Sequence, residues 1–92
     1  MNTLIAAVAL ACLGEAQVIG TVSKVELTET GCRAFVARFS HYQDNGLCPL
    51  DDSRLWSEGF EAGLNAQGEC AAKAGDTFSG ILVDTGDDIV LE

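Results

Sequence analysis

Apolar and polar residues alternate with a period of two along much of this chain. From Gln17 to Leu27, Val18 and Val22 fall on one face and Ile19, Val25 and Leu27 on the other, with threonine, serine and lysine interspersed. This is the pattern of a long, partly exposed strand. Thr28-Glu29-Thr30-Gly31 reads as a turn. A second strand follows from Cys32 to Phe39, with Phe35, Ala37 and Phe39 alternating against Cys32, Ala34 and Val36. The two strands form a predicted hairpin.

The polar, glycine-containing stretch His41 to Pro49 reads as a loop. Asp51-Asp52-Ser53 then offers N-cap oxygens and negative charge at the positive end of a helix. The spacing predicts that helix over Ser53 to Gln67, with Trp56, Phe60 and Leu64 on one stripe at i, i+4, i+8 and Leu55 beside it. The stripe is the predicted core anchor. Gly59 and Gly63 interrupt it, and each costs about 1 kcal/mol relative to alanine in a helix, which marks a close approach of another backbone. Gly68 ends or kinks the helix, and Glu69 to Ala74 adds a further turn before Gly75. Thr77 to Val83 and Asp88 to Leu91 are short apolar alternations joined by Asp84-Thr85-Gly86-Asp87, a strong hairpin signal.

The predicted class is therefore α+β, a small antiparallel sheet of two hairpins packed on one central helix, with closure into an OB-like barrel as the alternative. Residues 17–92 make one domain. Residues 1–16 are an apolar segment of open fate. Leu4 to Leu13 is an uninterrupted apolar run, too short to span a bilayer. The following Gly14-Glu15-Ala16 has the small residues of a signal-peptidase site, but Met1-Asn2-Thr3 lacks the usual basic charge. A lipoprotein site at Ala9-Leu10-Ala11-Cys12 is weakened by alanine at the position three before the cysteine. The other reading is a retained, buried element of the core. Cleavage after Ala16 would leave three of the four cysteines, an odd number, which tilts the expectation towards a retained N-terminus and a reducing, cytoplasmic setting over an exported or periplasmic one.

Charge narrows the partners. Fourteen acidic residues against five basic ones give a net charge of -9 across 92 residues. Such a surface repels phosphate backbones and anionic lipid and favours basic partners, so direct nucleic-acid binding is not expected. After Lys73 come five acids, Asp76, Asp84, Asp87, Asp88 and Glu92, and no base. Asp84, Asp87 and Asp88 in this tail, with Asp51 and Asp52 at the helix start, are the candidate binding residues.

Leu82-Val83-Asp84-Thr85-Gly86-Asp87-Asp88-Ile89-Val90-Leu91-Glu92 resembles the active-site segment of retroviral aspartic proteases, in which two aspartates share a proton and activate water. The six residues after Gly86 cannot supply that family's flap and second apolar segment, and the stretch is read as a hairpin turn. Cys48-Pro49 with Trp56-Ser57-Glu58-Gly59-Phe60 resembles the pattern of small ribosome-modulation-factor-like proteins, which are basic where this chain is acidic. The element order is also similar to that of OB-like receptor-binding toxin subunits.

Cys32, His41, Cys48 and Cys70 lack the Cys-x-x-Cys spacing that marks a zinc knuckle. Cys48 and His41 could form a nucleophilic pair, and a disulfide among Cys32, Cys48 and Cys70 belongs with export. No phosphate-binding glycine loop is present, and no cofactor is expected. The reading that results is a small non-catalytic module, an inhibitor, adaptor or assembly component, that occupies a basic surface of another protein through carboxylates, in the limit by mimicking nucleic acid. An exported OB-like ligand- or receptor-binding module and a small metal- or cysteine-dependent enzyme are the alternatives.

Overall fold

The computed structural model describes residues 13–92. Five strands close into a barrel in the order β1-β2-β3-β5-β4. They are β1 (Gly14–Leu27), β2 (Cys32–Asp44), β3 (Phe60–Glu61), β4 (Thr77–Asp84) and β5 (Ile89–Leu91). The one helix, α1 (Asp52–Glu58), lies between β2 and β3. The expected α+β sheet packed on a central helix is thus overturned: the core is the barrel interior, and the helix is a short insert at its side. The apolar run at 4–13 lies outside the described residues except for Leu13.

β1 forms the spine. It pairs antiparallel with β2 along one edge and with β4 along the other. It begins at Gly14, so Gly14, Glu15 and Ala16 are part of the barrel wall, opposite Asp84, Val83 and Leu82. Ala16, Val18 and Val22 point inward and are buried with Ala34, Val36, Phe60, Leu82 and Ile89. Ile19 and Leu27, on the other face of β1, are exposed.

β2 runs through to Asp44 and takes in the first half of the stretch expected as a loop. His41, Tyr42, Gln43 and Asp44 find backbone partners in Ile19, Val18, Gln17 and Ala16. Register shifts around Gly20 and Val22 let the strands coil, and they also break the strict alternation that a sequence reading follows.

The helix is where expectation and structure differ most. α1 spans 7 residues and stops at Gly59, well before Gln67. Gly59 has φ 73°, and a β-carbon there would collide with the Ala34 carbonyl oxygen of β2. Its amide closes the last turn on the Leu55 carbonyl at 2.8 Å. The carbonyls of Glu58 and Gly59 are taken by Arg33, whose Nε donates to Glu58 at 2.7 Å and whose guanidinium donates through another nitrogen to Gly59 at 3.0 Å. Helix ends leave such carbonyls without helical partners, and a cation is the favoured donor there. The chain then enters β3. Phe60 is buried, but Trp56 is 47% and Leu64 45% exposed, so the anticipated core stripe does not form. Leu55, at 0%, is the side chain α1 contributes to the core.

Residues 62–76 form a looped segment and not the extra helical turn anticipated from Glu69 to Ala74. Leu64 and Cys70 form an isolated bridge, and Gly75 donates to the Val22 carbonyl at 2.8 Å. A disulfide between Cys32 and Cys70 fastens the segment to β2, across a sequence separation of 38. Cys48 is also disulfide-bonded. β4 and β5 form the second hairpin, as expected. The parallel contact of β3 with β5, Glu61 against Val90, completes the barrel. No helix among the described residues is long and apolar enough to cross a membrane.

Three outcomes follow from these contacts. Gly59→Ala should lose at least about 3 kcal/mol in denaturant unfolding, since it combines a left-handed φ with a backbone collision. Gly46→Ala, which meets nothing within 4 Å, should stay within about 0.5 kcal/mol of the parent. Replacing Cys32 and Cys70 together by serine should remove about 4 kcal/mol, the loop-closure entropy expected for a separation of 38.

Candidate functional site

The five aspartates singled out by charge occupy different chemical situations. Asp84 accepts from Arg54 at 3.0 Å and also caps the β4–β5 turn by accepting from the Gly86 amide at 2.8 Å. Arg54 reaches on to the Asp87 carbonyl at 3.1 Å and to Glu58 at 3.6 Å. Although partial desolvation opposes its charge, Asp84 and Glu58 raise the Arg54 pKa above its usual value. Asp88 pairs with Arg33 at 2.9 Å. The carboxylates of Asp84 and Asp88 are thus engaged with the protein's own arginines, and they tie the β4–β5 turn to α1 and β2. An incoming cation would have to compete for them. The segment that resembles a protease triplet is this hairpin turn, with Thr85 donating its amide to the Asp88 carbonyl at 2.9 Å.

Asp51 and Asp52 stand at the other end of α1. Asp51 is the N-cap and accepts from the Ser53 amide at 3.1 Å and hydroxyl at 2.7 Å. Those bonds to Ser53 hold its pKa below the ordinary carboxylate value. Both aspartates are exposed. Asp52 and Trp56 are four residues apart and share a face of α1.

That face carries a group of aromatic rings that the charge pattern did not reveal. Phe39 of β2 is its hub, with its ring centroid 5.6 Å from Trp56 and 5.0 Å from Tyr42, both edge to face. A third edge-to-face contact, at 6.1 Å, joins Phe39 to Phe78 near the core. Such pairs are worth about 0.5 to 1.5 kcal/mol beyond the area they bury. They hold the Trp56 ring in place while leaving half of it open. The rings cluster because the irregular register of β2 brings Phe39 and Tyr42, three positions apart, to neighbouring places, which a period-two reading places on opposite faces.

The Tyr42 hydroxyl is buried and meets no hydrogen-bond partner among the described residues. Burial first, and then the negative charges of Asp44, Asp52 and Asp51, push its pKa up to about 12. The Asp44 carboxylate lies close enough to hold the proton on the phenol, although the pair falls outside regular bonding geometry. The charges of Asp44, Asp51 and Asp52 thus all act on this one hydroxyl. Asp44 also lines a polar cleft of about 290 Å³ with Glu15, Gln17, Gln43 and Asn45. Leu47, 90% exposed, lies in the nearby β2–α1 connection.

The cysteine and histidine candidates do not assemble. Cys32 and Cys70 are bonded to each other, Cys48 is oxidised, and His41 stands exposed on β2 opposite Ile19. In this state none of the three described sulfurs is a thiolate able to ligate a metal or attack a substrate.

A comparison with protein-family models, curated proteins and solved structures finds no match to this chain.

Absorbance at the phenolate band should give a Tyr42 titration midpoint near 12 against the ordinary 10. Asp44→Asn should bring it down. Because the folded state holds the proton more tightly, stability is fully present below pH 10 and declines as the pH rises from there towards 12.

Proposed function

We propose that this protein is a small acidic binding module that docks on a basic surface of another protein through the face carrying Trp56, Asp44, Asp51 and Asp52. The observation that carries this reading is the half-open Trp56 ring, edge-packed on Phe39, with exposed carboxylates around it. An arginine or lysine side chain laid on an indole face gains cation–π attraction and can reach a carboxylate with its charged end. Rigid aromatic side chains of this kind are the favoured anchors of protein interfaces.

The overall charge supports the same reading. A net charge of -9 speeds the approach of cationic partners and turns anionic ones away. Two of the chain's five basic residues, Arg33 and Arg54, are spent inside the fold on Asp88 and Asp84. The disulfides fit a protein that works in an oxidising compartment, where such bonds persist and where small domains lean on them. This favours an exported setting over the reducing one that cysteine parity suggested.

The chain has a single tryptophan, so its fluorescence reports on the site directly. Titration with an arginine-rich peptide should shift the Trp56 emission with an affinity that falls steeply as salt rises. Asp51→Asn with Asp52→Asn should weaken binding about tenfold. An equal response to a glutamate-rich peptide, or affinity indifferent to ionic strength, would refute the proposal.

A further inference from the structure

The two faces of the β1–β2 hairpin differ in chemistry. Residues directly opposite each other on paired strands share a face of the sheet. Phe39 and Tyr42 stand opposite Gly20 and Val18, both buried, and so lie on the side that α1 covers. Arg38 and His41 stand opposite Thr21 and Ile19, and so lie on the outer side. They are neighbours there, although three positions apart, because Ser40 is the extra residue of a bulge. Its hydroxyl donates to the Ile19 carbonyl at 3.3 Å and fixes that register.

The outer face is apolar as well as basic. Ile19 and Ile81 are 41% and 42% exposed. Ile19 pairs with Ser79 and Ile81 with Gln17, which makes the two isoleucines diagonal neighbours across β1 and β4. Arg38 is exposed, and among the described residues it takes part in no ion pair. Lys24, Arg33 and Arg54 differ in this, since each has a carboxylate partner. Charge along the chain is divided in the same way. From Gln17 to Gln43 there are three bases, Lys24, Arg33 and Arg38, against two acids, Glu26 and Glu29, whereas from Asp44 to Glu92 there are eleven acids against two bases. The hairpin is the one part of this acidic chain with an excess of positive charge.

We infer that a second copy of this chain docks on the Trp56 face through the outer face of its β1–β2 hairpin. The inference rests on the proposal that the Trp56 face receives basic surfaces, and it names the occupant. Arg38 of one copy lies on the Trp56 ring of the next and donates to the exposed Asp52, with Ile19 and Ile81 completing the contact. A planar guanidinium suits this place because it stacks on an indole and bonds a carboxylate at once. Two copies of like net charge repel at a distance, but at 0.1 M salt that repulsion is screened beyond about 10 Å, and groups in contact are screened much less. The contact joins two different faces, so it is heterologous and continues into a ring or a chain of copies beyond the dimer.

Sedimentation equilibrium of the intact, oxidised protein in 0.1 M salt tests this. The apparent mass should rise above the 9.6 kDa of one chain at protein concentrations of about 0.1 to 1 mM, the range of a small, transient contact. Arg38→Glu and Trp56→Ala should each remain single chains. Mixed, they should form a species of about twice the mass of one chain and nothing larger, because the mixture holds one intact Trp56 face and one intact Arg38 face. The tryptophan emission of the Arg38 variant should shift in that mixture, since its partner has none. Arg38→Glu alters an exposed side chain without an ion pair, so its comparison with the parent stays decisive if Trp56→Ala does not fold. A parent that stays a single chain at 1 mM, or association that Arg38→Glu leaves unchanged, would overturn the second copy as occupant. The response of Arg38→Glu to an arginine-rich peptide separates the two readings: a retained Trp56 shift leaves the docking face standing when self-association fails, and loss of the shift in both the parent and the variant removes the docking face as well.

Discussion

Closure of the barrel depends on one steric fact at Gly59. There the chain passes so close to the Ala34 carbonyl of β2 that no β-carbon fits, and φ takes a positive value that L side chains avoid. This ends α1 after two turns and directs Phe60 and Glu61 into the sheet beside Ala34 and Arg33. β3 is only two residues long, yet it is paired to β2 on one side and to β5 on the other. Without it the β1–β2 hairpin and the β4–β5 hairpin would share only the β1–β4 seam. The barrel would then open along the edge that buries Phe60.

Arg33 reinforces this arrangement electrostatically. It bonds the carbonyls of Glu58, the last residue of α1, and of Gly59 with two nitrogens and Asp88 of the β4–β5 turn with a third. Arg54 makes a parallel link from the middle of α1 to Asp84 and to the Asp87 backbone. Two guanidinium groups thus attach the helix to the turn that begins β5. Exposed ion pairs contribute little singly, but these are partly buried and each also satisfies backbone carbonyls, which would otherwise lack partners. The acidic tail has a structural use that its composition concealed, since Asp84 and Asp88 are engaged by Arg54 and Arg33. With α1 held this way, Leu55 enters the core and Trp56 is turned outward onto Phe39. The same short helix therefore serves both the barrel and the proposed docking face.

The strands were legible because their pattern is local. Val18 and Val22 alternate with Ile19, and the Thr28–Gly31 and Asp84–Asp87 turns carry residues suited to tight reversals, so both hairpins could be placed from the chain alone. The Trp56, Phe60, Leu64 stripe misled for a physical reason. A spacing of four is shared by a helix face and, by chance, by residues on a helix, a strand and a loop in succession. Gly59 and Gly63 were recognisable as weak points of the helix, but the obstacle that stops it is a carbonyl oxygen of Ala34, twenty-five positions away. The extent of β2 was hidden likewise, since His41 to Asp44 look polar and become a strand only because β1 offers them backbone partners.

Net charge, the presence of one apolar core and the positions of both hairpins were thus determined by the sequence alone, through composition and short-range periodicity. The tertiary structure decided the rest: closure into a barrel, the oxidation of Cys32 with Cys70, and the convergence of Phe39, Tyr42 and Trp56. Each of these joins residues far apart in the chain. Such contacts depend on where bulges rotate a strand and which carbonyl blocks a side chain, and nearest neighbours in sequence do not carry that information.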